Sequence, residues 1–347
     1  MMARQKQRRP CTVIRRKPAA RRSVNQIDVQ HASAGSSIVY VYEQGRSFHQ
    51  PLTIWQMKAV TALGGVAERT GVAAGEWLRS LPRGAYTTAR TVDSTQVLLW
   101  QKHVQRLQQS SQSILSETAA NEVTELRVLQ PLQSALSAFR NNETSNTCHD
   151  DTKITLLLTE SEGNELEARC HVAPLPLRAS PPVSVFIEGS GRQNARAKDS
   201  DWISARKPLE DAKPPECEEV ILLGDDHDSL LEGLSSNFFA VQNGTVQTAS
   251  EGVLEGTIKS IVLDVCHESG IQVDGSIPRL SEASTWDGAF ITSTSRLVLS
   301  IGRMQPANGD TFDLPQSSSL LSRIEQLVES RVRDLSEEVV GKSVATC

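Results

Sequence analysis

The chain has 347 residues, with 36 Lys and Arg against 41 Asp and Glu and a formal charge of −5, long enough for two domains or one large one with ample core. No apolar run approaches the roughly 18 residues that would suggest a membrane span. The charge is uneven: residues 1–22 hold nine Lys and Arg and no acid, leaving 27 basic and 41 acidic residues in the remainder. That formal −14 argues against nucleic-acid binding by the folded part.

The leader MMARQKQRRPCTVIRRKPAARRSV is Arg-rich and acid-free and lacks the apolar centre of a secretory signal. It fits an organelle transit peptide, mitochondrial or plastid. The plainer readings are a disordered basic tail or a nuclear address, and a cytoplasmic protein if the leader is no targeting signal. Six cysteines (11, 148, 170, 217, 266, 347) show no C-x-x-C spacing, so a reduced compartment is the default. Cys-His dipeptides recur at 148–149, 170–171 and 266–267. Neighbours on a strand point to opposite faces, which makes poor metal clamps, and no metal site is expected. Asn142-Glu143-Thr144 and Asn243-Gly244-Thr245 match the glycosylation pattern, but no secretory signal accompanies them.

After a Ser/Gly-rich spacer at 32–37, the folded part is expected to begin at Ile38-Val39-Tyr40-Val41. Residues 53–68 read as a helix with Ile54, Met57, Val60 and Leu63 on one side. Strands are predicted at 83–92 and 96–100. A helix follows at 103–115 with Val104, Leu107, Ser111, Ile114 and Leu115 inward, then a second amphipathic helix at 120–139. A polar loop at 140–153 leads to paired strands at 154–159 and 168–173. Four prolines in 174–182 mark an interdomain connection, because proline cannot donate to a ladder. The division is therefore a basic leader at 1–36, a small domain at 37–178 and a larger one, starting with strand 183–187, at 179–347. Gly189-Ser190-Gly191 is read as a turn. Ile324, Val328, Val332, Leu335 and Val339 mark a closing helix.

The most informative stretch is 231–266. Glu232 ends an apolar run and precedes the polar turn Ser235-Ser236-Asn237. A hairpin follows, with arms at 238–242 and 245–248 joined by Asn243-Gly244, which suits a type I′ turn needing positive φ at both central positions. Gly256-Thr257-Ile258 opens a helix whose stripe is Ile258, Ile261, Val262 and Val265, with Gly270 as its stop. Unpaired N–H groups and the dipole at that helix start favour an anion. A carboxylate, a hairpin and a phosphate-ready helix end are the parts needed for a phosphorylated cofactor with a basic ring nitrogen.

This stretch, through E-G-x-S-S-N-F-F and L-x-G-T-I, resembles the class IV aminotransferases. These pyridoxal-phosphate enzymes include branched-chain and D-amino acid aminotransferases and 4-amino-4-deoxychorismate lyase. The resemblance extends more weakly over about 83–299 and is poorest between Leu107 and Val183. It implies an α+β, two-domain fold of fold type IV, with a small α/β N-terminal domain and a larger C-terminal pseudo-barrel domain. It also implies pyridoxal 5′-phosphate as cofactor, an amino acid and a 2-oxo acid as small-molecule partners, and a homodimer. Neither nucleic acid nor membrane is expected as a partner.

Residue by residue, the resemblance makes Glu232 the acid at the pyridine nitrogen. It makes Lys198, 34 positions earlier, the Schiff-base lysine and proton shuttle, with Lys207 as runner-up and Lys213 a turn residue. Phosphate falls to Gly256, Thr257 and Ile258, to Ser293 and Thr294, and to Arg106 in H-x-x-R-L, whose guanidinium suits bidentate phosphate contact. Leu254 packs on the ring. Tyr86 lines the substrate side, and Arg90 and Arg296 are candidates for a substrate carboxylate. The expected function is amino transfer between an amino acid, branched-chain or D-amino acid in type, and a 2-oxo acid. The alternatives are the lyase, releasing pyruvate and 4-aminobenzoate, and a non-catalytic relative.

Overall fold

Two sheets carry the architecture of the protein, described here from a computed structural model over residues 59–141, 151–315 and 318–339 and the short pair Tyr42–Glu43 and Arg46–Ser47. The leader and the predicted start at residues 38–41 lie outside the described residues. The first sheet is antiparallel throughout, in the order Ser336–Glu338, Gln96–Leu98, Ala85–Val92, Thr152–Glu160, Leu166–Pro174, Val60–Leu63, Val66–Arg69. Its long strands alternate, and the apolar set Ile154, Leu156, Leu158 and Val172 packs with Val128, Leu132, Leu136 and Phe139 of the helix Glu125–Asn141. The helix Trp100–Ile114 adds Val104 and Leu107 to that core.

The second sheet closes on itself. From Leu230–Gly233 it runs through Cys217–Leu223, Val183–Ser190, Leu297–Pro306, Gly288–Ser293 and Asn237–Gln242, and the pairing Glu232↔Asn237 completes the ring. Cys217–Leu223 and Leu297–Pro306 both pair parallel to Val183–Ser190. The hairpin forms as predicted, with Asn243 at φ 50° and Gly244 at φ 75°. Alternation along Asn237–Gln242 sends Phe238 and Ala240 to one core and Phe239 and Val241 to another. The second of these is roofed by the helices Thr257–Glu268 and Ser319–Asp334.

Three predicted elements differ. The helix at 53–68 is not formed where the structure describes it: Val60–Leu63 and Val66–Arg69 are a hairpin around Gly64-Gly65, with Gly64 at φ 54°. The apolar spacing mimicked a helix, but a Gly-Gly pair costs a helix about 2 kcal/mol and suits a two-residue turn. The helix at 120–139 is two, Glu117–Asn121 and Glu125–Asn141, the first capped by the Ser116 hydroxyl. The closing helix ends at Asp334, and Ser336–Glu338 is instead a strand paired with Gln96–Leu98, which carries Val339 into the first core.

The segment holding Lys198 is fastened to the first sheet by backbone. Tyr86 N–H donates to the Lys198 carbonyl at 2.9 Å, and Ser200 N–H donates to the Gly84 carbonyl at 2.9 Å. Gly84 N–H donates to Ser200 Oγ at 2.9 Å. A Cβ on Gly84 would lie 2.0 Å from the Leu158 carbonyl oxygen, in backbone that cannot swing aside. Gly84→Ala is therefore expected to cost about 1–3 kcal/mol and to lower the melting temperature by several degrees, read by calorimetry. An unchanged melting temperature would show that the close approach is not needed.

Candidate functional site

Glu232 and Asn237 face each other across the closure of the second sheet, and the lysine-bearing segment lies against the first. Between them is a cavity of about 270 Å³. Its lining includes Tyr86, Arg106, Lys198, Glu232, Leu254, Gly256, Thr257, Ile258, Ser293, Thr294 and Arg296. These are the expected site residues except Arg90. That arginine turns to Asp151, Nη2 to Oδ2 at 3.0 Å, where it closes the end of its strand. Lys207 pairs with Asp211 and Lys213 donates to the Cys217 carbonyl, so neither shares the cavity.

Lys198 is held by its backbone, and its Nζ makes no hydrogen bond among the described residues. Its N–H donates to Ser110 Oγ at 3.0 Å, and its Nζ stands 5.1 Å from the centre of the Tyr86 ring. Burial drives the amine well below the usual lysine value. The guanidinium charges of Arg106, Arg192 and Arg206 push in the same direction, and Glu232 opposes them. Burial raises the Tyr86 hydroxyl. It also lowers His103 to about 3, with the Arg106 and Lys198 charges adding to the effect. His103 is therefore neutral, its Nδ1 2.7 Å from Thr87 Oγ1.

Glu232 is buried and doubly held. Its Oε1 accepts from Arg192 Nε at 2.9 Å and Nη2 at 2.7 Å, and its Oε2 accepts from the Leu254 backbone N–H at 3.0 Å. Arg192 also lies 5.4 Å from the Trp202 ring centre. Asn237 Nδ2 donates to the Leu254 carbonyl at 2.7 Å, so Leu254 is fixed at both backbone groups over the carboxylate.

At the other end, the helix Thr257–Glu268 begins at Gly256 without a side-chain cap, which leaves backbone N–H groups for a ligand. A Cβ on Gly256 would fall 1.9 Å from Asn237 Oδ1, so the approach of Asn237 requires glycine. Thr294 Oγ1 donates to the Thr88 carbonyl at 3.0 Å. Arg106 reaches over this end, donating to the Glu255 carbonyl, with its pKa brought to about 10 by burial. Thr292 Oγ1, buried and without a hydrogen-bond partner among the described residues, belongs to the same wall.

Arg296 lines the cavity but is engaged: Nε meets Glu218 Oε1 at 2.8 Å, and Nη1 meets Glu219 Oε2 and Ser235 Oγ at 3.1 Å. Sequence reasoning missed Arg192, Arg206 and Lys153, all in the same wall. Arg192 had a signal in the glycines before it. Gly189 has φ 85°, and a Cβ on Gly191 would lie 2.5 Å from Leu231 Cδ1, so the turn brings Arg192 against the strand of Glu232. Lys153 had one in Lys153-Ile154-Thr155, where polar residues flank an apolar one at strand spacing.

Residues 84–304 match the class IV amino-transferase family. A curated relative, "Putative branched-chain-amino-acid aminotransferase" of Methanocaldococcus jannaschii, is 24% identical over 235 residues, 63% of this chain and 77% of its own. The solved structure of "A hypothetical aminotransferase from Mycobacterium tuberculosis, PLP-bound form" aligns with a TM-score of 0.62 at 18% identity, over 80% of this chain and 99% of that one. A branched-chain aminotransferase from Thermoproteus uzoniensis with norvaline gives 0.61 at 16% identity, over 81% and 99%. At these identities the structural likeness shows the fold, the α+β architecture of fold type IV. The family match covers more than half of the sequence, and the chain belongs to the class IV aminotransferases, whose cofactor is pyridoxal 5′-phosphate.

Proposed function

We propose that this protein passes an amino group from an amino acid to a 2-oxo acid. The observation that carries the reading is the pairing in one cavity of an amine driven toward its neutral form with a carboxylate clamped by an arginine. The donor set fits pyridoxal phosphate. Lys198 Nζ would hold its aldehyde carbon, and Glu232 its ring nitrogen. Arg106, Thr257 and the uncapped helix start would hold its phosphate. A carboxylate offers about four acceptor sites, and Arg192 and Leu254 occupy three of those on Glu232. One remains for a ring N–H.

When bound, the cofactor supplies an electron sink for the carbanion at the substrate Cα. Lys198 Nζ, driven toward its neutral form by burial, would take the Cα proton and deliver it to the cofactor's aldehyde-derived carbon, across the substrate nitrogen from Cα. Arg192 balances the charge of Glu232 and fixes the orientation in which that acid would meet the ring nitrogen. Leu254, fixed at its N–H and its carbonyl, covers one face and excludes water. The Tyr86 ring limits where Nζ travels. Branched-chain amino acids are the first donors to assay, since curated and solved relatives bear that name.

Borohydride reduction of the holoenzyme followed by peptide mapping should label Lys198, and a label on Lys207 would transfer the role there. Lys198→Ala should lower kcat about 10²–10⁴-fold, and Glu232→Gln about 10²-fold or more, both in single-turnover assays with a branched-chain donor. Since the amine works unprotonated, the acid limb of kcat should rise with pH through a value well below the ordinary lysine pKa of about 10.4. A limb at the ordinary value would mean that Lys198 is solvated. In a donor-only incubation the cofactor should accumulate in its amino form. Pyruvate release from 4-amino-4-deoxychorismate would instead assign the lyase.

A further inference from the structure

Lys259 is the third residue of the helix Thr257–Glu268 and is only 2% exposed, one of the largest fully buried side chains in the protein. Two forces oppose a cation there. Burial strips its solvent, and the positive end of the helix dipole repels it. A methionine would fill similar space on a helix without either cost. The compensation has to come from the partners of the ammonium.

Those partners are the two ends of one loop. Nζ donates to the Ala249 carbonyl at 2.8 Å and to Glu255 Oε1 at 3.1 Å. Ala249 is fully buried. Thr248 before it is fixed by its hydroxyl to the Phe238 carbonyl at 2.8 Å and by its N–H to the Asp274 carbonyl at 3.1 Å. That end is anchored to the second sheet. Residues 250–252 between the two ends are exposed. The Glu255 side chain is 65% exposed, so its ion pair contributes little as charge alone. Its carbonyl, however, accepts from Arg106, and Gly256 follows as the start of the helix. One buried ammonium thus joins the sheet, the loop and the peptide group that holds Arg106.

Lys259 does not line the cavity; it stands behind the wall formed by Leu254, Gly256, Thr257 and Ile258. The two ends of that wall have separate supports. Leu254 is held by Glu232 Oε2 and Asn237 Nδ2, neither of which needs Lys259. Glu255 meets Arg106 at its carbonyl and Lys259 at its carboxylate, and the helix after it has no side-chain cap.

We infer that Lys259 is a positioning residue for the phosphate of the bound cofactor. It braces Glu255 and, through the Glu255 carbonyl, Arg106, so that the guanidinium and the uncapped N–H groups stand in place before the anion arrives. Donors already in place spare the binding energy that ordering them would take. The inference rests on the placement of phosphate at this helix start and on nothing about which amino acid reacts.

The test is calorimetric titration of the full chain, freed of cofactor, with pyridoxine 5′-phosphate and with pyridoxine. Both are alcohols that form no Schiff base with Lys198. Lys259→Met should weaken pyridoxine 5′-phosphate about tenfold or more and pyridoxine by about twofold or less. Lys259→Arg, which keeps donors and charge, should recover most of the loss. Should Lys259→Met not fold, Lys259→Gln is judged by the same ratio. In an Arg106→Met background, Lys259→Met should add about threefold or less, because its effect runs through that arginine. Additive losses would show a charge acting through space and overturn the brace. Equal weakening of both ligands would make Lys259 a packing residue and overturn it too, as would a folded variant that keeps the wild-type ratio. A wild type that binds the two ligands equally would remove the phosphate placement itself, and the inference with it.

Discussion

The site depends on keeping an amine driven toward its neutral form and a carboxylate clamped by an arginine in one small volume. Those are opposite electrostatic demands, since burial penalises both charges and each charge favours the other. The protein meets them by treating the two groups differently. Glu232 receives two guanidinium N–H groups and a backbone N–H, which replace the solvent it loses. Lys198 receives its anchors only at the backbone, and its Nζ makes no hydrogen bond among the described residues. Burial does most to discharge the amine, and the guanidinium charge that steadies the acid adds to it. Arg192 acts on both.

The signature E-G-x-S-S-N-F-F then reads as one packing solution at the ring closure. Glu232 supplies the acid. Gly233 follows because a Cβ there would lie 2.2 Å from Ser236 Oγ and 2.8 Å from Glu219 Cγ. Ser235 and Ser236 donate to Glu219 Oε2, which holds the turn beside Arg296. Asn237 spends its amide on the Leu254 carbonyl and its oxygen against Gly256, joining the turn to the helix start. Phe238 and Phe239 anchor the strand on opposite sides, the first 5.9 Å from Trp286 and the second stacked 4.6 Å from Phe290. Every position serves to bring the carboxylate of Glu232 and the uncapped start of the helix Thr257–Glu268 into fixed register across one cavity.

Local signals explain what the sequence made legible. The Asn-Gly hairpin, the stripe of Thr257–Glu268 and the alternating strands are decided by neighbours in the chain, and they form as read. The helix at 53–68 failed because apolar spacing alone cannot tell a helix from two short strands when a Gly-Gly turn intervenes. The strand Ser336–Glu338 was hidden for another reason: its partner Gln96–Leu98 is some 240 residues away. The family signature marked the residues held by local motifs. Arg192 and Lys153 carried only local hints, a glycine pair and a polar alternation, and strand pairing and ring closure are what bring them into the cavity.

Charge distribution completes the logic. Outside the leader the chain carries a formal −14, yet the cavity is lined by Arg106, Lys153, Arg178, Arg192, Lys198, Arg206 and Arg296 against Glu218 and Glu232. A cationic cleft in an acidic body focuses an attractive field at its mouth and repels anions elsewhere. A small polyanion such as the phosphorylated cofactor gains from that arrangement because it fits within the cleft. A nucleic acid, which needs an extended positive track, does not. The acidity of the surface and the basicity of the cavity are thus two halves of one selection, made by size and charge together before any chemistry begins.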